Sequence, residues 1–466
     1  MLANIVNTFR NCLKIPELRS RIIFTVAILA VCRLAALIRV PGLDGTELAK
    51  FFAEQANNAS VLGMYSLFTG GALEHCAVGA LGIMPYISAT IILQLLTAVV
   101  PRLSKLAREE GGRTKIIQYG RYLTVVLCLG QGYLMALGWE HPEKIFGAGI
   151  GQLLLPAYAD GWMIWVYRFQ TVLILTAGTM LLMWLGEQIT ERGIGNGISL
   201  IITVGILARL PQAGQALWDM FFGAAAGEAK FKLAEAAILL ALLALVIAGV
   251  IAVVQAQRKI PVQYAQRAVG RKVFSGGTSF LPLKVNHAGV MPIIFASAIL
   301  MFPQKIFQGL AGAVEQPFLK GTFNWLQINL NHDAFFYTVC YALMILFFSY
   351  FWVATQFNEL QIADDLKKNG GYIPGVRPGN ATSDFLHYTM TRITLAGAIF
   401  LVVIAVIPSL LYDWLGIPWA VGQFFGGTSL LITVGVVLDT LRQMESHLLM
   451  RHYDGFLKKG RVRGRF

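Results

Sequence analysis

The residue types that most often carry chemistry occur in this chain without the spacing that chemistry requires. Its five cysteines and seven histidines are scattered, with neither paired spacing for a redox couple nor ligand spacing on a common helix face. Gly147, Gly149 and Gly151 do not follow a strand, lie outside any βαβ unit and lack the Lys-Ser/Thr of a nucleotide-binding loop. We therefore predict no metal site, no cofactor and no ATPase activity.

Motifs for hydrolysis within a membrane are also missing from the sequence. It contains no elbow-type nucleophile, no zinc-protease motif and no pair of Asp or Glu inside an apolar segment. We therefore predict no catalytic residue and do not expect an enzyme. A membrane-embedded protease would need such a nucleophile.

Isoleucines inside apolar segments are the more suggestive side chains. Ile83 and Ile87 share one helix face at i, i+4, as do Ile198 and Ile202. A ring of branched apolar side chains would form a dry constriction that blocks ions. The spacing alone favours ordinary helix packing over such a ring.

The polar groups within the apolar segments are mostly uncharged. Gln94 and Asn196 lie in predicted spans, and Asn286 lies at the entrance of another. Such groups can form hydrogen bonds between helices. Ion-coupled carriers usually keep charged side chains beside their path, and the deep parts of predicted spans 2 to 10 have none.

The composition indicates that a membrane-spanning bundle positions these residues. Apolar residues make up 56% of the chain and charged residues 14%, whereas a soluble domain is about one quarter charged. Segments of roughly 17 to 25 apolar residues cross the ~30 Å hydrocarbon layer as helices. We predict an all-α polytopic membrane protein with ten spans, near residues 22–38, 79–100, 116–138, 162–184, 195–213, 233–254, 286–305, 335–356, 393–412 and 419–438.

A twelve-residue segment occurs twice. Gly82–Leu93 reads GIMPYISATIIL and Gly289–Leu300 reads GVMPIIFASAIL, and the two match at seven positions. Because five spans precede the midpoint and five follow it, the second half must enter the membrane from the other side. We predict two inverted five-helix halves, residues 1–213 and 214–466, with a pathway where the two copies meet.

Three connections differ from simple loops. Leu62–Leu73 is apolar but too short to span, so it is predicted to fold back into the bundle; an interfacial helix outside the bundle is the alternative. The connections Gln255–Lys284 and Phe357–Arg392 each have about thirty residues, well above the usual length of about 4 to 6. We expect these two to have a binding partner.

The distribution of Lys and Arg predicts the orientation. Most of the 38 basic residues lie in the N-terminal stretch, the even-to-odd connections and the C-terminal tail, and basic residues near span ends stay cytoplasmic. Both termini are therefore expected in the cytoplasm. The net charge of +13 is explained by this sidedness and by anionic lipids rather than by nucleic acid.

Five ordered motifs resemble the SecY family, the central subunits of bacterial protein-conducting channels. They are GIMPYISATIILQLL from Gly82, WLGEQITERGIGNGISLII from Trp184, FLPLKVNHAGVMPIIFAS from Phe280, NGGYIPGVRPG from Asn369 and FGGTSLLI from Phe425. The resemblance covers essentially the whole chain. It implies two halves around a central hourglass pore, with a lateral gate formed by spans 2 and 3 on one side and 7 and 8 on the other.

The resemblance also implies roles for individual residues. The pore constriction would be an isoleucine ring of Ile83, Ile87, Ile202, Ile294 and Ile432. The folded-back segment would be a plug in the outer funnel, made of Leu62, Gly63, Met64, Tyr65, Ser66, Leu67, Phe68, Thr69, Gly70, Gly71, Ala72 and Leu73. The polar residues of the lateral gate would be Gln94, Asn196 and Asn286.

The implied function is passage of unfolded secretory chains and sideways release of signal peptides and transmembrane segments into lipid. The two long loops would dock the SecA ATPase and the ribosome through Arg258, Lys259, Arg267, Arg271, Lys367, Lys368 and Arg377. SecE and SecG would be the small subunits, and the location would be the bacterial plasma (inner) membrane. An inverted-repeat solute transporter is the alternative, because that architecture by itself also suits a carrier.

Overall fold

The structure of this chain is a computed structural model that divides into two compact units. One unit comprises Met1–Asp219 with Ile432–Phe466, and the other comprises Met220–Leu431. The structure describes residues 15–54, 66, 68–109, 111–142, 151–158, 161–222, 233–264, 267–269, 272–274, 277–297, 299–300, 317–330, 334–415, 422 and 428–459. The first compact unit includes the last segment of the chain, Ile432–Phe466, and the division into inverted halves 1–213 and 214–466 stays a prediction.

The regular elements in the described part of the first unit are helices, joined by irregular segments with isolated β-bridges between Arg39 and Ala77 and between Leu43 and Leu154. Its helices are α1 (Pro16–Ala35), α2 (Thr46–Glu54), α3 (Met84–Val99), α4 (Pro101–Arg108), α5 (Gly112–Glu140), α6 (Met163–Arg192), α7 (Gly197–Leu207), most of α8 (Leu210–Phe222) and most of α14 (Thr428–Lys459). Helix α6 contacts α1, α3, α5 and α7. The long α6 is therefore the helix around which this unit is packed.

The second unit combines helices with a small sheet. Its helices are α9 (Leu233–Gln255), α10 (Pro317–Asn329), α11 (Phe335–Gln356), α12 (Glu359–Lys368) and α13 (Asn380–Leu415). Its strands are β1 (Gln257–Tyr264), β2 (Arg267–Val269), β3 (Lys272–Phe274), β4 (Thr278–Lys284) and β5 (Gly371–Tyr372). Helices α9 and α11 both contact α13.

Several helices have the length and composition of membrane spans. Among the described residues six qualify, and a seventh is possible if α3 and α4, bent by 104°, form one broken span. Helix α1 overlaps the predicted first span, 22–38, but is not among the six; it carries Glu17, Arg19, Arg21 and Arg33. The predicted spans 286–305 and 419–438 are only partly described, so the count of ten stays a prediction.

The two long predicted loops contain regular structure that the apolar pattern did not indicate. Strand β1 pairs antiparallel with β4 and, at its far end, with β5. Ile260 and Val262 are buried in β1 between exposed neighbours, which is the alternation of a strand with one covered face. Helix α13 begins at Asn380, not after Arg392, because polar residues extend the helix beyond its apolar stretch.

Gly178 in α6 is a position where two backbones meet. A Cβ atom there would lie 2.3 Å from the carbonyl oxygen of Val78. Gly130 in α5 is a contrasting helical glycine with no atom within 4 Å of a Cβ. The tight contact holds the segment before α3 against α6.

We expect Gly178→Ala to lower the free energy of unfolding by about 1–3 kcal/mol through overpacking. Gly130→Ala should be neutral or stabilising by up to about 1 kcal/mol, because alanine has the higher helix propensity. Thermal unfolding of both variants in mild detergent measures the difference. Equal stabilities would contradict the close packing at Gly178.

Candidate functional site

The two copies of the duplicated segment begin with the same backbone geometry. Gly82 has φ +58° and Gly289 has φ +64°, in the left-handed region that suits glycine. A proline three residues later, at the start of the following helix, has no N–H that would need a partner. Each copy thus turns sharply and then enters a helix.

Inside the helices the copies also share a side-chain hydrogen bond. The Thr90 hydroxyl donates to the Ile87 carbonyl at 2.8 Å, and the Ser297 hydroxyl donates to the Ile294 carbonyl at 2.9 Å. Thr90 and Ser297 occupy the same place in the two copies, as do Ile87 and Ile294. The duplication therefore extends from the residue pattern to the geometry around the isoleucines.

The five isoleucines of the predicted ring are buried in the units that hold them. They are Ile83, Ile87, Ile202, Ile294 and Ile432. In the first unit, Ile83 and Ile202 line one cavity. In the second unit, the neighbour of Ile294, Phe295, packs edge-on against Phe348 and Trp352 of α11. The structure brings Ile83 and Ile202 together, and a ring of all five stays a prediction.

The cavity beside Ile83 and Ile202 is small. Its volume is about 30 Å³, which is enough for one or two water molecules at most. Phe68 and Thr69 of the predicted plug form part of its lining, with Arg33 and Cys32 of α1. The described part of the plug segment thus fills the space next to these two isoleucines.

The plug segment is compact where it is described. The Gly71 N–H and the Thr69 hydroxyl both donate to the Ser66 carbonyl, at 3.0 and 3.2 Å. Ser66, Ala72 and Leu73 are fully buried. Leu62, Gly63, Met64, Tyr65 and Leu67 lie outside the described residues.

Gly70 allows the predicted plug segment to lie close to α1 and α7. Its φ is +64°, and a Cβ atom would lie 2.3 Å from a guanidinium nitrogen of Arg33 and 2.8 Å from Cα of Gly205 in α7. The Arg33 Nη2 also donates to the Gly70 carbonyl at 3.1 Å. Two glycines therefore let the segment lie directly on α7, while a cation from α1 binds its backbone.

The far side of the segment is held by an ion pair. Arg209, which follows α7, contacts the Glu74 carboxylate and donates to the Ser66 hydroxyl at 2.5 Å. Ser66 in turn donates to Glu74 at 2.9 Å. Glu74 is buried, and a buried charge needs such partners because desolvation is costly.

The chain's similarity to known proteins agrees with this geometry. A family model described as SecY matches residues 77–441. The protein translocase subunit SecY of Chlamydia trachomatis is 42% identical over 467 residues, covering 98% of this chain and 99% of that protein. The protein translocase subunit SecY of Thermotoga maritima is 42% identical over 463 residues, with coverages of 98% and 99%.

The chain belongs to the SecY family. The resemblance inferred from the five motifs is thereby confirmed.

Solved structures agree with the SecY-family fold. A structure described as a protein-conducting channel has a TM-score of 0.58 at 18% identity, covering 92% of both chains. A structure from work on the plug domain of SecY, which stabilises the closed state of that channel, scores 0.56 at 18% identity and 92% coverage of both. Canine Sec61 in a ribosome–channel complex scores 0.54 at 17% identity and 92% coverage of both. These neighbours confirm the predicted helical fold; the small sheet of the second unit is the part that the prediction lacked.

The three polar residues predicted for the lateral gate differ in their surroundings. Asn196 is exposed and caps α7 by accepting a hydrogen bond from the Ser199 N–H at 3.2 Å. Gln94 is exposed on α3, and Asn286 is buried. Asn196 therefore has a local structural role, and a gate role for the three stays a prediction.

The basic residues predicted to dock partners lie in or beside the small sheet of the second unit. Arg258 and Lys259 are exposed on β1, Lys367 and Lys368 are exposed at the end of α12, and Arg377 is exposed in the turn before α13. The side chain of Arg267 and the whole of Arg271 lie outside the described residues. Pairing of Gln263 with Tyr372 joins the two predicted loops into one surface.

Sequence reasoning missed the charged contacts around the predicted plug segment. The predicted segment ended at Leu73, one residue before Glu74, and Arg209 lies beyond the apolar stretch of α7. Arg33 was a usable signal, since a charge within a span normally needs a partner. The partners of Glu74 are 8 and 135 residues away, so no local pattern reveals them.

We expect Gly70→Ala to loosen the plug segment, because the new Cβ atom cannot fit against Arg33 and Gly205. Hydrogen exchange of peptides covering residues 66–80 should accelerate. Gly71→Ala is the matched control: its φ is also positive, at +86°, but a Cβ atom there meets no atom closer than 3.8 Å. Equal acceleration in both variants would assign the effect to backbone strain, of roughly 1–2 kcal/mol, instead of to the close approach.

Proposed function

We propose that this chain is the channel subunit of a bacterial protein translocase. It passes unfolded secretory chains across the plasma membrane and releases apolar segments sideways into lipid. The observation that carries the proposal is the buried plug segment against Ile83 and Ile202 in a chain of the SecY family. The fold of the channel structures supports the same conclusion.

The chemistry of the isoleucines suits a seal that must pass many different chains. Branched apolar side chains offer no fixed hydrogen bond or charge to a passing peptide, and a dry constriction opposes ions. Ile83, Ile87 and Ile202 would contribute from the first unit, and Ile294 from the second. Ile432, buried in α14, would complete the ring.

The duplicated segments would form the lateral gate. A signal sequence that leaves the pore for lipid gains roughly 0.8 kcal/mol for each methylene it buries. The exposed apolar residues of α3, such as Ile92 and Leu96, are compatible with a helix that faces lipid. Energy for transport of polar chains must come from a partner.

The small sheet would be the docking surface for the SecA ATPase and the ribosome. Exposed Arg258, Lys259 and Arg377 supply positive charge, which favours contact with acidic protein surfaces or RNA phosphates. Canine Sec61, a structural neighbour, is found in a ribosome–channel complex. This precedent supports a ribosome partner.

Family membership also supports the remaining assignments. SecE and SecG would be the small membrane subunits, and anionic lipids would interact with the basic cytoplasmic side. Both termini would face the cytoplasm, and the membrane would be the bacterial inner membrane. The chain itself would catalyse no reaction, and it would require no cofactor.

The pore assignment predicts a crosslink to a passing chain. In a background without the native cysteines, Ile87→Cys or Ile294→Cys should form a disulfide with a cysteine in a secretory chain that is stalled during transport. Ile23→Cys is the control, because this isoleucine lies on α1 and is exposed. Absence of a crosslink at every ring position would remove the pore assignment, and saturable uptake of a small solute would favour a carrier.

The docking assignment predicts a separate defect. Arg377→Glu should slow SecA-driven export into vesicles by on the order of tenfold, the effect of losing ~1.4 kcal/mol of charge-assisted contact. Membrane insertion of the variant itself should be normal, since Arg377 is exposed. Lys105→Glu on α4 reverses an exposed charge elsewhere and should leave export unchanged. Normal export by Arg377→Glu would contradict the assignment.

A further inference from the structure

Three charged side chains from distant parts of the sequence converge on the plug segment. Arg33 comes from α1, Arg209 follows α7, and Glu74 is the residue directly after the predicted plug segment, Leu62–Leu73. Arg33 binds the Gly70 carbonyl, and Arg209 pairs with Glu74. All three lie in the first compact unit.

Arg209 holds both ends of the described segment at once. It donates to the Ser66 hydroxyl at 2.5 Å and pairs with the Glu74 carboxylate. Ser66 also donates to Glu74 at 2.9 Å, which closes the loop between residues 66 and 74. The loop cannot leave α7 as a unit without breaking both contacts to Arg209.

The charges explain why Glu74 matters most in this group. Arg33 and Arg209 are close enough for the two cations to repel each other. Among the ion pairs of the described residues, Glu74 is the acid that contacts Arg209. Removing the Glu74 charge would leave the partly buried Arg209 without its acidic partner, which favours separation of the two cations.

The contact between Glu74 and Arg209 is largely shielded from water, but one donor atom of Arg209 has no hydrogen-bond partner among the described residues. The side chains of Glu74 and Arg209 are 10% and 21% exposed, so water screens the pair weakly. The Nε atom of Arg209 is buried and has no hydrogen-bond partner among the described residues. An unsatisfied donor raises the free energy of the docked state, which makes the contact easier to open than a fully satisfied one.

We propose that Glu74, Arg209 and Ser66 form an ionic latch that holds the plug segment against α7 and opens when a chain is admitted. Arg33 assists by binding the Gly70 carbonyl. This inference rests on the proposed channel function. It adds a specific set of side chains that would set the balance between the closed and open states in this chain.

The latch is tested with Glu74→Gln in purified channel reconstituted in vesicles. The substitution keeps the shape and removes the charge, so it should raise the resting ion leak by about tenfold, as a shift of ~1.4 kcal/mol would. Export of a substrate with a defective signal sequence should also increase. The exchanged pair, Glu74→Arg with Arg209→Glu, should bring the leak back toward the wild-type value.

The control is another Arg–Glu pair of similar burial in the same unit. Arg168 and Glu140 join α6 to α5, with two hydrogen bonds of 2.9 Å and side chains 19% and 6% exposed. Glu140→Gln should lower thermal stability in the same way as Glu74→Gln without raising the leak. A leak of equal size in both variants would refute the latch, because it would report general destabilisation.

Hydrogen exchange separates failure of the latch from failure of the proposed function. Glu74→Gln should accelerate exchange in residues 66–80 and leave α5 and α6 unchanged. Unchanged exchange and an unchanged leak would overturn the latch even if the wild-type protein exports normally. A wild-type protein that exports nothing, together with accelerated exchange in Glu74→Gln, would overturn the channel assignment and keep the contact.

Discussion

The structure depends on one constraint: an irregular backbone inside an apolar helical unit must find hydrogen-bond partners within the protein. The segment from Ser66 to Gly82 meets this requirement through the end of α1. Val78 donates to the Ile38 carbonyl, Gly79 donates to the Ala35 carbonyl, and Val40 donates to the Cys76 carbonyl. Because these bonds tie the segment to α1, Arg33 of α1 lies next to the Gly70 carbonyl. The stretch from Cys76 to Gly79 is therefore fixed to the end of α1 by backbone hydrogen bonds.

Glycine residues allow the irregular backbone to reach its hydrogen-bond partners. At Gly70 and Gly82 the backbone adopts a left-handed conformation, and at Gly70 and Gly205 two backbone segments approach more closely than side chains would permit. The same turn opens the second copy at Gly289. A membrane protein that places its pathway at helix breaks needs such turns, since only protein contacts can satisfy the backbone there. The repeated motif thus specifies a backbone turn at Gly82 and Gly289 as well as the side chains that follow it.

Hydropathy and residue spacing predicted the regular part of this protein well. Hydropathy located the long apolar helices, and motif identity located the family, because both are local properties of the sequence; the fold-back segment and the count of ten spans stay predictions. Prediction failed where partners are distant in sequence. The pairing of Gln263 with Tyr372 depends on two loops meeting, and the boundary of the plug at Leu73 left out Glu74. Helix α13 begins at Asn380, before the predicted span 393–412, because polar residues can continue a helix beyond its apolar stretch as readily as they form a loop.

The sequence by itself determined that this is a multi-pass membrane protein of the SecY family, with a duplicated segment in two halves. It could not decide whether Ile83 and Ile202 were ordinary packing residues, since the i, i+4 spacing is the same in both cases. Only the tertiary structure placed both beside Phe68 and Thr69, and only it joined Arg209 to Glu74. The physical reason is that hydrophobic periodicity reports which face of a helix is buried, whereas the identity of the neighbour on that face is decided by packing of the whole unit.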